Sequence, residues 1–106
     1  MLRKTFESEI QQVKDDVLML GSMVEQALVD AVETLKKRDI KAAEKIFQED
    51  RAINGKRFEI ENKLMVLIAT QQPMAHDLRL LASTMEIISE LERMGDYAKG
   101  IANINI

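Results

Sequence analysis

Glu92 and Asp96 stand four residues apart in the stretch Glu90-Leu91-Glu92-Arg93-Met94-Gly95-Asp96-Tyr97-Ala98. In a helix that spacing puts both carboxylates on one face, one turn apart, where like charges repel by a few tenths of a kcal/mol. At about 100° per residue from Ile88, Glu92 falls near 40° and Asp96 near 80°, beside Leu81, Met85 and Leu78. The spacing therefore places both acids in the apolar arc. A carboxylate there requires a metal, a proton or a basic partner. A second polar pair, Asp50 and Asn54, has the same spacing in an earlier apolar stretch, with Arg57 and Glu61 close by.

One turn brings these pairs together. The acids lie about 21 to 25 residues after the turn near Gln71, and Asp50 and Asn54 about 17 to 21 before it. At a helical rise of about 1.5 Å per residue, the two pairs reach similar heights in an antiparallel hairpin. Asp50, Asn54, Glu92 and Asp96 thus form a candidate all-oxygen site for a hard cation, Mg, Ca or Mn, or for ferric iron. The competing reading is a polar network in which Arg57, Lys99 or Arg93 supplies the positive charge. Arg57 and Glu61 read as an ordinary i,i+4 pair.

Three helices must position these groups. Phe6, Ile10, Val13, Val17, Leu20, Val24, Ala27 and Ala31 recur at steps of four and three, which predicts a helix over about 4–36. Leu18, Met23, Leu28, Val32 and Leu35 widen that stripe, so the helix should touch more than one neighbour. Gly21 lies inside it, at a position where another helix could approach closely. Asp39 is a suitable N-cap for a second helix over about 40–69, with Ala43, Ile46, Phe47, Ile53, Ile60, Leu64, Leu67 and Ile68 as its stripe. Pro73 suits the first position of a third, over about 74–102, which carries Leu78, Leu81, Met85, Ile88, Leu91, Ala98 and Ala102. The expected fold is all-α, an antiparallel up-down-up three-helix bundle forming a single domain over 1–106.

Composition narrows the chemistry. The 106 residues include 46% hydrophobic and 31% charged side chains, one Pro, four Gly and no Cys. Disulfides, thiolate metal sites and thiol nucleophiles are excluded, which suits a reducing cytoplasm. The single His76 sits in a helix's first turn and reads as a surface residue. No nucleophile and base are paired, so no catalytic residue is assigned. A net charge of −3 without a basic cluster argues against nucleic acid. No apolar run spans a membrane.

At these residues the chain resembles the PhoU family of phosphate-uptake regulators. The resemblance rests on Met19-Leu20-Gly21-Ser22-Met23-Val24-Glu25, Asp39, Asp50 with Asn54, Gln72-Pro73-Met74-Ala75 followed by Asp77-Leu78-Arg79, and the 90–98 stretch. It implies one three-helix repeat, the first of the two usual in that family. The chain is then either a fragment or a single-repeat member that pairs as a homodimer to rebuild a six-helix arrangement. The apolar end Ile104-Asn105-Ile106 favours truncation.

The resemblance further implies a cytoplasmic, non-enzymatic negative regulator of the phosphate-starvation response. Such a regulator couples the ATPase of a phosphate ABC transporter to a sensor histidine kinase. It also implies a metal (Fe, Mg, Mn, Ca or Zn) carried by Glu92, Asp96 and Asp50, with Asn54 departing from the acid usual there. Two alternatives come from other classes. One is a metal-storage bundle, against which stands the absence of Glu-x-x-His motifs. The other is a purely structural helical module.

Overall fold

The computed structural model describes residues 3–104; residues 105 and 106 of the apolar end lie outside this range. Three helices form in the expected order, α1 (Arg3–Lys37), α2 (Ile40–Gln71) and α3 (Ala75–Ile104). All three pack against one another in a rod of 53 × 18 × 16 Å. No helix in this range is long and apolar enough to cross a membrane.

The first turn is set by two residues. Arg38 takes a left-handed conformation (φ 52°). Its N–H donates to the Leu35 carbonyl at 3.3 Å, and the Asp39 N–H donates to the Thr34 carbonyl at 3.0 Å. This pairing satisfies carbonyls that the end of α1 would leave bare. Asp39 then caps α2 as expected, its carboxylate accepting from the Ala42 N–H at 3.1 Å.

The second turn differs from expectation. α2 continues to Gln71, and Gln72 closes it in the left-handed region (φ 46°, ψ 61°). Pro73 stands ahead of α3, not at its first position, because Met74 accepts the first helical bond, from the Leu78 N–H at 2.8 Å. A residue before proline is disfavoured in the α region, so the chain leaves the helix at Gln72.

The core follows the seven-residue pattern. Phe6, Ile10, Val13, Leu20, Val24, Ala27 and Ala31 of α1 meet Ile53, Ile60, Leu64 and Leu67 of α2 and Leu81, Ile88 and Ala98 of α3. A smaller cluster of Ala43, Ile46 and Ala102 closes one end. Full burial of each large aliphatic side chain stabilises the fold by about 1.5–3 kcal/mol. Six expected members of the stripes are less enclosed: Val17, Phe47, Ile68, Met85 and Leu91 are half-buried and Leu78 is exposed. Gly21 meets no neighbouring helix; a Cβ built there finds nothing within 4 Å.

Candidate functional site: the charged seam between α2 and α3

Buried positions on α3 recur through Asp77, Leu81, Ile88, Gly95, Ala98 and Ala102. At about 100° per residue the centre of this arc lies between Ile88 and a line some 20° to its other side, through Asp77 and Gly95. Glu92 remains at the edge of the arc and its side chain is 36% exposed. Asp96, near 80°, falls outside and is exposed, which corrects the expectation that both acids enter the core. Leu78 shares its direction and its exposure. Gly95, between the two acids, faces α2. A Cβ there would lie 3.7 Å from Ile53 Cγ2 and 3.9 Å from Asp50 Oδ1.

Asp50 is the buried acid of the seam. Its Oδ2 accepts a hydrogen bond from Asn54 Nδ2 at 3.2 Å and lies 3.6 Å from Lys99 Nζ. Lys99 also sits 6.0 Å from the centre of the Phe47 ring, so its charge is shared between carboxylate and ring.

Two turns beyond Asp50 along α2, Arg57 bridges the helices. It donates to Glu61 at 3.2 Å and pairs with Glu92 at 3.3 Å. Its guanidinium lies over the Phe58 ring at 4.3 Å, and its Nε is buried without a hydrogen-bond partner. The Arg57–Glu61 pair expected from spacing is present, and Arg57 also crosses to α3.

The hairpin therefore brings three of the four predicted residues to one seam, as two separate ion-paired sets, and leaves Asp96 outside it. Asp50 with Asn54 faces Lys99, and Glu92 faces Arg57. Among the described residues no three acidic or histidine side chains gather as a metal ion would need. The donor set does not fit a resident cation in this arrangement, because the chain's own cations hold Asp50 and Glu92.

Two further charged sets were not singled out from the sequence. Asp16 of α1 accepts from Lys63 at 2.8 Å and Lys56 at 3.1 Å, both on α2. The hydrogen bond from Lys63 is the largest influence and holds the Asp16 carboxyl below its usual value, against the opposing effect of burial. Lys63 is raised in turn by Asp16. At the start of α3, buried Asp77 accepts from both terminal nitrogens of Arg3, one bond measuring 3.1 Å. The hydrogen bond from Arg3 lowers the Asp77 pKa. A signal was available for each: Asp16 borders Val13, Val17 and Leu20 in the α1 stripe, and Asp77 lies one turn before Leu81. His76 is exposed, as expected.

The described residues form an all-α bundle joined by ion pairs along all three of its helix seams. Comparison with known proteins gives it a family. The PhoU domain profile matches residues 17–104, and the chain belongs to the PhoU family. It is 45% identical over 103 residues to the "Phosphate-specific transport system accessory protein PhoU homolog" of Clostridium acetobutylicum, covering 96% of this chain and 47% of that protein. A protein of the same name from Aquifex aeolicus is 36% identical over 94 residues, 89% of this chain and 42% of that one. The Escherichia coli K12 "Phosphate-specific transport system accessory protein PhoU" is 35% identical over 96 residues, 91% of this chain and 40% of that one. The chain thus spans less than half the length of these curated relatives.

Proposed function

We propose that this chain is a regulatory accessory unit of phosphate uptake that works through protein contact rather than by catalysis. In this reading it acts in the cytoplasm as a negative regulator of the phosphate-starvation response. It couples the ATPase of a phosphate ABC transporter to a sensor histidine kinase. The observation that carries the reading is the family match over residues 17–104, joined to relatives whose names place them with phosphate-specific transport.

The geometry supports a contact role. Ion pairs from α2 to α3 fix the relative rotation of the two helices, so the outward groups Asp96, Met94 and Tyr97 are presented in a constant arrangement. A seam whose charged side chains Asp50, Arg57, Glu92 and Lys99 are committed to one another offers surface and shape to a partner. Metal binding is not required by this reading.

The test is complementation. The chain is expressed in a bacterium lacking its own PhoU protein and carrying a phosphate-starvation reporter, grown in abundant phosphate. Repression of the reporter supports the proposal. An unrepressed reporter, with the protein present and folded in the cell extract, overturns it.

A further inference from the structure

The seam between α1 and α2 carries three hollows in a row along its outer side. Near the second turn, Glu9, Val13, Lys63 and the exposed Val66 line one of about 290 Å³. At mid-length, Met19, Met23, Ala52 and Ile53 line one of about 390 Å³. Met19 and Ala52 are exposed there, Met23 is half-buried and Ile53 is the buried floor. Near the first turn, a third of about 270 Å³ lies over buried Ile46.

The spacing of the hollows matches a helix. Counted along both walls, successive hollows stand roughly 14 to 18 Å apart at a rise of 1.5 Å per residue. Three turns of helix span about 16 Å and return a side chain to the same face every 11 residues or so. One straight helix therefore seats a side chain in each hollow. Between the first two hollows Asp16 crosses the seam to Lys56 at 3.1 Å and Lys63 at 2.8 Å. An occupant meets charged groups at that height and apolar walls on either side of it. The methionines of the middle hollow are unbranched and fit side chains of varied shape.

The two ends differ in charge. Asp30, Glu33, Asp39 and Glu49 line the first-turn hollow against Lys37 and Lys45, an excess of two negative charges. Lys37 holds Glu33 at 3.5 Å, and the neutral Gln26 amide donates to Asp30 at 2.8 Å. Neither Asp30 nor Glu49 forms an ion pair with another described residue. At the second-turn end, Glu9 is offset by Lys63.

We propose that this groove receives one amphipathic helix of a partner protein, apolar at three-turn intervals and basic where it crosses the first-turn hollow. Laying an apolar helix face into a groove is a common mode of recognition, and the charge difference between the ends fixes the direction of the occupant. The inference rests on the reading that the chain works through protein contact, and it names the contact.

The probe is a fluorescent synthetic helix of about 30 residues, enough to span the three hollows, with one apolar stripe and arginines at one end. Anisotropy on titration with the purified chain is expected to show saturable one-to-one binding. Ala52→Trp fills the middle hollow from an exposed position and should raise Kd at least about tenfold. Ser22→Trp, exposed on α1 across the same hollow, should act alike. Ala82→Trp, exposed on α3, should leave Kd unchanged. Asp30→Lys/Glu49→Lys should weaken the arginine-ended helix at least about fivefold and tighten a glutamate-ended one.

No saturable binding up to about 1 mM probe overturns the proposal. Indifference to both tryptophans, an equal loss with Ala82→Trp, or indifference to the charge exchange does the same. A chain that doubles its mass in light scattering, and loses the dimer with Ala52→Trp, overturns it too, since a second copy then fills the groove. Probe binding uses no transport component, and the starvation reporter uses no probe, so the two readings fail separately.

Discussion

Replacing Gly95 by alanine tests how closely α2 and α3 approach beside the buried acid. Two gains are expected. A helix-interior glycine costs about 1 kcal/mol against alanine, and a buried methyl contributes about 0.8 kcal/mol. The methyl meets Ile53 Cγ2 at 3.7 Å, an ordinary contact, so no overpacking enters. One loss opposes them. The same methyl lies 3.9 Å from Asp50 Oδ1 and displaces water from that oxygen, at about 1 kcal/mol. Lys99 and Asn54 both hold Oδ2 and are undisturbed. The net is a stabilisation of about 1 kcal/mol, or roughly 4–5 °C in Tm for a domain of this size. Gly55→Ala is the reference, because its Cβ meets nothing within 4 Å and only helix propensity changes. Urea and thermal unfolding followed by circular dichroism measure both. A loss of stability in Gly95→Ala beside a gain in Gly55→Ala would refute the reasoning, since α2 and α3 would then leave no room for a methyl beside Ile53.

Three further outcomes are expected. Arg38→Gly should stabilise the fold by about 1 kcal/mol in the same unfolding assay, because it relieves a left-handed non-glycine residue without touching the bonds that close α1. The bonds from Lys63 and Lys56 place the Asp16 pKa below its unfolded value of 3.8. Its contribution is therefore present above that value and lost as pH falls through it toward the folded value. The urea midpoint should drop on acidification through that range, and Asp16→Asn should flatten the drop. Metal content by mass spectrometry should be the same in wild type and in Glu92→Ala/Asp96→Ala, since Arg57 and Lys99 already neutralise the seam; an ion lost by the double variant would show that these carboxylates can be freed.

The helices were legible because each stripe keeps one period over roughly thirty residues, long enough for a wrong phase to show. Asp39 was legible for a local reason: its cap depends only on the three residues that follow. Pro73 was legible as a boundary but not in its role, because whether it opens α3 or ends α2 turns on which carbonyl accepts the first bond. Asp96 was misplaced because the arc was centred on Ile88 alone. Counting Asp77 and Gly95 as buried would have shifted that centre and left Asp96 outside. A polar residue and a glycine carry no hydropathy signal for burial. The partners of Arg57 were half legible: Glu61 follows from helix spacing, whereas Glu92 depends on how α2 and α3 rotate against each other. Asp77 with Arg3 joins residues 74 positions apart, a pairing that only the assembled bundle defines.

The up-down-up order has a consequence for how the chain assembles. α2 lies next in sequence to both other helices, so either hairpin can close across a link of two or three residues. α1 and α3 run parallel, and their contacts, such as Arg3 with Asp77, enclose a loop of more than seventy residues. The entropy of closing so long a loop falls on these contacts alone, unless a hairpin has already shortened it. Two nucleation routes are thus open, one from each hairpin, and both converge on the late docking of α1 with α3. Weakening α2 slows both routes, whereas weakening either outer helix diverts folding to the other.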